Sequence, residues 1–266
     1  MYLTVSAGVD IYYEDEGEGD PIIFVPGWTF GSEIFCHQKH YFSEHFRTVF
    51  FEPRCQGRST TTTEGIDYDT QSADLAQLIE HLQLEKPLIV GWSSGSLTAW
   101  GLIRLLGADA FSGIVTIDLP PTPLIAPERG WSELALTDIA GFYKNVSSAE
   151  RHHDWFSNYA ASGELASRPL SEAEQIWLVE QSTRTPHWAA ALYCASGWFR
   201  DHLPEAKLAD AAIPSMIVVS DRNEAPARNF IERELPNTRL EAFGTHFMFW
   251  DQFERFNNVL GEFIGG

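Results

Sequence analysis

The chain has 266 residues, of which 44% are hydrophobic, so it is long enough and apolar enough to build one large core and is not a disordered protein. Its formal net charge at pH 7 is −19, from 37 acidic and 18 basic residues. Because such a surface repels phosphate backbones and anionic lipid headgroups, we expect no nucleic acid and no membrane partner. A small molecule remains the expected partner, and the composition allows a homodimer without requiring one.

The cysteines and the N-terminus bear on the compartment. Cys36, Cys55 and Cys194 lie far apart and form no C-x-x-C pair, which predicts reduced thiols and neither a disulfide framework nor a metal site. The N-terminal sequence MYLTVSAGVDIYYEDEG has neither the basic nor the apolar segment of a secretion signal. No stretch of about 18 apolar residues occurs, so no transmembrane helix is expected and the predicted location is the cytoplasm.

Strand and helix patterns alternate over the first half of the chain. The run Ile22–Val25 is short, continuous and apolar, as expected for a strand buried on both faces of a parallel sheet. Between Leu75 and Leu82, leucine and isoleucine recur at the i, i+3, i+4 and i+7 spacing of an amphipathic helix. This alternation predicts a mostly parallel α/β sheet with helices on both faces. The predicted strands are Tyr2–Ser6, Val9–Glu14, Ile22–Val25, Thr48–Phe51, Leu88–Val90 and Gly113–Ile117, and the predicted helices are Glu33–Phe46, Leu75–Leu82 and Ser94–Leu106.

The alternation stops after about residue 120, and helix signals then dominate as far as residue 206. Ser147-x-x-Glu150 and Ser171-x-x-Glu174 each fit a capping box at the start of a helix. The pattern predicts a sheet domain of residues 1–122 and 207–266, with a helical cap of residues 123–206 inserted into it. After the cap we expect strands at Ser215–Val219 and Thr238–Phe243, helices at Ala225–Glu234 and from Phe253 onward, and within the cap lie Trp131, Trp155, Trp177, Trp188 and Trp198.

The pentapeptide Gly91-Trp92-Ser93-Ser94-Gly95 fits the pattern G-x-S-x-G and lies between a predicted strand and a predicted helix. In that context the pattern predicts a sharp turn, because side chains at the two glycine positions would clash with neighbouring backbone. The turn raises Ser93 Oγ above the carboxyl edge of the sheet, where the N-terminus of the helix favours developing negative charge. The alternative is a glycine-rich turn with a solvated serine.

The segment Val25-Pro26-Gly27-Trp28 ends an earlier buried strand. We predict that the backbone N–H of Trp28, or of Thr29, forms an oxyanion hole together with the N–H of Ser94. The alternative for this segment is a plain turn over which a tryptophan packs.

Of the nine histidines, His246 is the candidate general base, because it follows the last predicted strand within Gly244-Thr245-His246-Phe247. A serine, an aspartate and then a histidine is the chain order of hydrolases with a nucleophile elbow. His152 and His153 lie in a charged stretch and are predicted to be solvated. The first predicted helix carries His37, His40 and His45, for which we expect a surface or core role.

Two aspartates are candidates for the acid that orients the histidine. Asp118 follows the predicted strand Gly113–Ile117, and Asp221 follows the predicted strand Ser215–Val219. Both strand ends can present a carboxylate to the same imidazole, so position alone leaves the two open.

These motifs, in this order and together with Arg54-Cys55-Gln56-Gly57-Arg58-Ser59, resemble the α/β-hydrolase superfamily over nearly the whole chain. Hydrolases of this fold often carry the acid in a Gly-x-x-Asp turn, and the corresponding position here is Asn223, so we favour Asp118 over Asp221. The resemblance implies a serine nucleophile, Ser93, with His246 and Asp118, and no metal or organic cofactor. A serine at the elbow excludes the carboxylate-nucleophile chemistry of haloalkane dehalogenases and epoxide hydrolases at this site.

Two branches of the superfamily are similar to the chain. Ester and lactone hydrolases, including zearalenone lactonase, share the x-Ser-Ser-Gly elbow and a carboxylate-Leu-Pro, here Asp118-Leu119-Pro120. The cofactor-free 3-hydroxy-4-oxoquinoline 2,4-dioxygenases share Pro-Gly-Trp and Thr-His-Phe, but their elbow serine is flanked by histidines where this chain has Trp92 and Ser94.

We therefore predict hydrolysis of a carboxylic ester or lactone, with the dioxygenase as the alternative and a non-catalytic binding module as a weaker one. The predicted substrate is apolar, aromatic or macrocyclic, because such pockets are lined by aromatic side chains. Ordinary packing is the alternative for these tryptophans. The predicted substrate-binding residues are Trp28, Trp92, Trp155 and Trp188.

Overall fold

The computed structural model describes residues 1–124, 130–132 and 135–266, and one eight-stranded sheet forms its centre. The strands are β1 (Tyr2–Ser6), β2 (Val9–Glu16), β3 (Pro21–Val25), β4 (Arg47–Glu52), β5 (Leu88–Trp92), β6 (Gly113–Ile117), β7 (Ser215–Val219) and β8 (Arg239–Ala242). They lie in the order β1-β2-β4-β3-β5-β6-β7-β8. The strand β2 runs antiparallel to β1 and β4, and every other neighbouring pair is parallel. The predicted fold class is confirmed.

Helices cover both faces of this sheet. The described residues contain α1 (Cys36–Phe42), α2 (Tyr68–His81), α3 (Gly95–Leu106), α4 (Leu136–Asn145), α5 (Ala149–Ala161), α6 (Glu172–Thr183), α7 (His187–Trp198), α8 (Leu203–Ala212), α9 (Glu224–Glu234), α10 (Met248–Asp251) and α11 (Phe253–Gly265). The helices α2, α3, α8 and α9 contribute to the core on one face, and α1, α10 and α11 contribute to the core on the other.

The central strands supply both cores, which is why their sequences are continuously apolar. Because successive side chains of a strand point to opposite faces, Ile23 and Val25 of β3 enter one core while Ile22 and Phe24 enter the other. All five residues of β5, β6 and β7 are buried. Strands with this double burial hold the loops at their carboxyl ends in fixed relative positions.

Two helix predictions were wrong in detail. The predicted helix Glu33–Phe46 is a 3-10 turn at Ser32–Phe35 followed by the short α1, after which the Ser43 hydroxyl donates to the carbonyl of Lys39 and pairs with Thr48. The N-cap of α5 is Ser148, whose Oγ accepts from the N–H of Arg151, whereas the predicted cap Ser147 donates to the preceding helix. The predicted capping box at Ser171 is confirmed.

The helices α4 to α7, which we call the inserted helices, follow β6 in the chain and precede the return to the sheet at β7. Residues 125–129 and 133–134 of the predicted cap lie outside the described residues. Helix α8 begins at Leu203, before the predicted domain boundary at residue 207, and packs against α3. The division into sheet domain and cap stays a prediction. No helix in the described ranges is long and apolar enough to cross a bilayer.

Candidate active site

Ser93 lies at the turn between β5 and α3, with a φ of 51°, in the left-handed region that non-glycine residues seldom adopt. The turn is held by the backbone N–H of Ser93, which donates to the carbonyl of Ile117 at 2.7 Å. A Cβ on Gly91 would lie 2.7 Å from the Gly95 carbonyl oxygen, and a Cβ on Gly95 would lie 2.4 Å from that of Val25. Both glycines are therefore required by close backbone approach, as the elbow pattern predicts.

Asp118 and His246 are in direct contact, with 2.8 Å between Asp118 Oδ2 and His246 Nδ1. Asp118 directly follows β6 at a φ of 53° and its side chain is fully buried, whereas the His246 side chain is 19% exposed. Burial by itself raises the pKa of this carboxyl, but the hydrogen bond and charge of His246, with donors from Ser220 and Asn223, lower the pKa to about 2. The carboxylate is therefore ionised at neutral pH and faces the Nδ1 side of the imidazole.

Asn223, at the position where hydrolases of this fold often carry the acid, contacts the second oxygen of Asp118. Asp118 Oδ1 accepts from the backbone N–H of Ser220 at 2.8 Å, from its hydroxyl at 3.0 Å and from the amide of Asn223 at 3.0 Å. Asn223 thus donates to a carboxylate that arrives from the neighbouring strand. Asp221 instead accepts from the backbone N–H of Gly244 at 3.1 Å, and so contacts the loop that leads to His246 without contacting its ring.

His246 follows β8 on a loop that is attached to the elbow. The indole N–H of Trp92, the residue before Ser93, donates to the backbone carbonyl of His246 at 2.9 Å. Ser93 and His246 both line one cavity. No hydrogen bond joins the Ser93 hydroxyl to His246 in the described part of the chain, and contacts of this kind often tighten only in the enzyme–substrate complex.

The loop after β3 reaches the same place. A Cβ on Gly27 would lie 3.1 Å from the Cβ of Ser93, so the backbone before Trp28 runs directly beside the elbow. Among the described residues, neither the N–H of Trp28 nor the N–H of Ser94 donates to another backbone or side-chain group. Both residues line the cavity. Two N–H groups that donate to no other group and belong to residues of one cavity wall are suited to hold an anionic oxygen.

The cavity has a volume of about 180 Å³ and is mostly aromatic. Of the four tryptophans predicted to bind substrate, Trp28, Trp92 and Trp155 line it. The inserted helices supply about half of its aromatic lining and the rest of the chain supplies the remainder: Phe142, Trp155, Phe156, Tyr159, Tyr193 and Trp198 belong to those helices, and Trp28, Phe30, Tyr68, Trp92 and Phe247 do not.

Trp188, the fourth of these tryptophans, does not line the cavity and packs against the core on the α2–α3 face. Tyr193, Cys194, Gly197 and Trp198 present one face of α7 to the cavity. At 100° per residue, Trp188 lies about 80° from Trp198 around the helix axis, on the side away from Tyr193, Cys194 and Gly197, and so off that face.

Tyr68 is a lining residue that the sequence did not single out. It starts α2 and is buried, its side chain lines the cavity together with that of Ser94, and burial raises the pKa of Tyr68. The only sequence signal was a tyrosine at the first turn of an amphipathic helix, and such a residue usually packs in the core.

His152 was predicted to be solvated and is instead 1% exposed. Its neighbour His153 is exposed, as predicted. The buried residues of α5 are His152, Phe156 and Ala160, which recur at i, i+4 and i+8, so helix phase and not local charge decides which side chain points inward.

A mostly parallel sheet, a serine on a strained strand-to-helix turn and an Asp–His pair beside it define the α/β-hydrolase class of protein. The model of the alpha/beta hydrolase fold family matches residues 20–250, and the chain belongs to that family.

The individual proteins to which the chain is similar are named for different activities. The chain is 39% identical to a bifunctional esterase/perhydrolase of Acinetobacter calcoaceticus over 48% of this chain and 47% of that protein. It is 24% identical to the non-heme chloroperoxidase CPO-A1 of Kitasatospora aureofaciens over 98% of both. An esterase structure from Exiguobacterium antarcticum superposes with a TM-score of 0.89, covering 100% of this chain and 99% of that one at 19% identity, which shows a shared fold.

Proposed function

We propose that the protein is a serine hydrolase that cleaves carboxylic esters or lactones of small apolar molecules. The observation that carries this proposal is the 2.8 Å contact between Asp118 and His246 at the wall of a cavity that Ser93 also lines. An aspartate, an imidazole and an elbow serine on one cavity supply the acid, the base and the nucleophile of acyl transfer.

In the first half of the proposed reaction, Ser93 Oγ attacks the ester carbonyl carbon and passes its proton to Nε2 of His246. Asp118, ionised and hydrogen-bonded to Nδ1, holds the productive tautomer and stabilises the imidazolium that forms. The carbonyl oxygen becomes anionic and takes hydrogen bonds from the N–H groups of Trp28 and Ser94. The C–O bond to the alcohol then breaks, and His246 returns the proton to the leaving oxygen.

In the second half, water attacks the acyl group on Ser93, His246 accepts a proton from that water, and the acid leaves as Ser93 recovers its proton. For a lactone the alcohol and the acid are parts of one product. Every step uses groups of this chain, so the proposal requires no metal or organic cofactor.

The named activity of one relative supports a variation on the second half. Perhydrolysis uses the same acyl group on Ser93 and changes only the attacking molecule. Hydrogen peroxide attacks in place of water, and the product is a peracid. The 39% identity to an esterase/perhydrolase covers about half of both chains, so peroxide is a co-substrate worth including in assays.

The cavity bears on substrate size. Its volume of about 180 Å³ is close to the roughly 150 Å³ of a protein cavity that binds benzene, and a macrocycle needs more. We therefore propose that the enclosed part of the substrate is a short acyl chain or a single ring.

We expect kcat/KM for p-nitrophenyl esters to be highest for short acyl chains and to fall at least tenfold from the four-carbon to the twelve-carbon ester, because long chains exceed the enclosed volume. Hydrolysis is measured by release of p-nitrophenol, with an oxygen electrode run in parallel on a 3-hydroxy-4-oxoquinoline. Oxygen uptake that survives Ser93→Ala, with no hydrolysis of any ester or lactone, would favour the dioxygenase alternative.

Trp155 and Trp188 form a matched pair for testing which tryptophans serve the substrate. Trp155 lines the cavity, whereas Trp188 packs against the core. We expect Trp155→Ala to raise KM about tenfold or to change acyl-chain preference, and Trp188→Ala to lower the melting temperature with KM within about twofold. Steady-state kinetics and thermal unfolding of both variants check this, and equal changes in KM would contradict it.

A further inference from the structure

A chain of buried polar groups connects the inserted helices to the loop that carries Trp28. His152 Nε2 on α5 lies 3.2 Å from the hydroxyl of Ser182 on α6, which lies 2.7 Å from the hydroxyl of Thr29. The Thr29 hydroxyl in turn donates to the carbonyl of Trp28 at 2.6 Å. All three side chains are at most 1% exposed, so water does not substitute for any of these partners.

The number of protons on each group determines the direction of every hydrogen bond in this series. A hydroxyl has one proton, and Thr29 gives its proton to the Trp28 carbonyl, so Ser182 must donate to Thr29. Ser182 has then used its own proton, so His152 Nε2 must carry a hydrogen and donate to Ser182. Burial, with smaller effects from His187 and His153, lowers the pKa of His152 to about 4, so the ring is neutral at pH 7 and one tautomer is selected.

Two further contacts attach the same loop to the inserted helices. The indole N–H of Trp28 donates to the carbonyl of Ala190 on α7 at 2.8 Å. The hydroxyl of Thr185, between α6 and α7, donates to the carbonyl of Thr29 at 3.0 Å. These contacts hold Trp28 through its side chain and hold the two peptides on either side of Thr29 through their carbonyls, so the inserted helices restrict the backbone next to the Trp28 N–H.

The loop needs this support because its conformation is strained. Thr29 has a φ of 69°, a left-handed conformation that is costly for a β-branched residue and persists only where the surroundings impose it. Apolar packing would fill the same space without directing a peptide plane. A fully paired chain of hydrogen bonds in a low-dielectric interior specifies a direction as well as a position.

We propose that Ser182 and Thr29 are positioning residues for the oxyanion hole, through which the inserted helices act on catalysis as well as on substrate binding. The inference rests on the proposed hydrolase function, because it takes the Trp28 N–H to be a donor to the oxyanion of acyl transfer. The inserted helices then have two separable roles: Trp155 lines the cavity, and Ser182 sets the geometry of the loop that stabilises the transition state.

The first test is Ser182→Ala, measured on the best ester found for the wild-type protein. A misdirected oxyanion donor weakens the transition state and not the bound ester, so we expect kcat to fall roughly tenfold to a hundredfold with KM within about twofold. A boronic acid, which forms a tetrahedral adduct with an elbow serine, should lose affinity by the same factor as kcat/KM.

Ser171→Ala is the matched control. Ser171 is a serine of the same helix region, caps α6 through the N–H of Glu174 and has no contact with Thr29. The Ser171→Ala variant loses the N-cap hydrogen bond and therefore some stability of α6, so its kinetics show the effect of destabilising α6 alone. We expect its kcat and its affinity for the boronic acid to stay within about twofold of wild type.

A pair of substitutions at Thr29 keeps the proposal testable if Ser182→Ala folds poorly. Thr29→Val removes the hydroxyl at constant shape, whereas Thr29→Ser keeps it. We expect Thr29→Val to match Ser182→Ala in kcat and Thr29→Ser to retain most activity. The double variant Ser182→Ala/Thr29→Val should be no slower than either single variant, because both substitutions interrupt the same series of hydrogen bonds.

The outcomes separate this inference from the proposed function. Ester hydrolysis that depends on Ser93 but is unchanged in kcat and in boronic acid affinity by Ser182→Ala and Thr29→Val overturns the positioning role and leaves the hydrolase intact. Additive losses in the double variant overturn it also. Absence of Ser93-dependent hydrolysis in the wild-type protein overturns the proposed function itself.

Discussion

Ser93→Ala should lower kcat on an ester substrate by about a thousandfold or more, with little change in the free energy of unfolding. The elbow holds Ser93 above the sheet on the wall of the cavity, and removing its hydroxyl leaves no nucleophile for the acyl group. Alanine and serine face a similar cost at a φ of 51°, so the fold should tolerate the change. Steady-state kinetics and chemical denaturation of the variant check both halves of this expectation.

The controls for Ser93 are a distant serine and the histidine. Ser112 is exposed and lies before β6, at the opposite end of the sheet from the elbow, so Ser112→Ala should leave kcat unchanged. His246→Ala should cost about as much as Ser93→Ala, and the double variant should be no worse than either, because the two residues act as one unit. Near-full turnover by Ser93→Ala would show that another group attacks the substrate.

The second large effect is expected at the acid, where Asp118→Asn should lower kcat by roughly ten thousandfold. Two donors from Ser220 and one from Asn223 meet Asp118 Oδ1, so an asparagine places its amide oxygen there and its NH₂ against His246 Nδ1. Nδ1 must then accept, the hydrogen moves to Nε2, and the imidazole can no longer take the proton of Ser93.

Asp221→Asn is the matched control for that substitution. Asp221 accepts from the backbone N–H of Gly244, and an amide oxygen can accept the same hydrogen bond, so kcat should stay within about threefold of wild type. Kinetics of both variants, with circular dichroism to verify folding, decide the assignment. A larger loss in Asp221→Asn than in Asp118→Asn would move the acid to Asp221.

Much of the fold was predictable because strands that are buried on both faces of the sheet have a recognisable sequence pattern. The strands β6 and β7 were predicted with their observed bounds, since a strand covered on both faces is a short apolar run between polar segments. The elbow was predictable for a related reason. Gly91 and Gly95 are demanded by backbone contacts, and a residue type that only close approach requires is conspicuous at its position.

Parts of the site depend on contacts that no local pattern encodes. Asp118 and Asp221 follow adjacent parallel strands, so both carboxylates reach the same region and only the hydrogen bonds around them separate their positions. Local charge misled at His152, because its helix phase turns the ring into the interior. Helix phase also turns Trp188 away from the cavity on α7, and Tyr68 reaches the cavity beside Ser94 only through the tertiary fold.

The central claim is that Ser93 is an activated nucleophile, and labelling with a fluorophosphonate tests it before any substrate is known. Intact mass followed by peptide mapping should show one adduct, on the peptide that contains Ser93. The adduct should be absent in Ser93→Ala and form at least a hundredfold more slowly in His246→Ala. A folded protein that gains no adduct, or one whose adduct lies on another residue and persists in Ser93→Ala, would contradict the account.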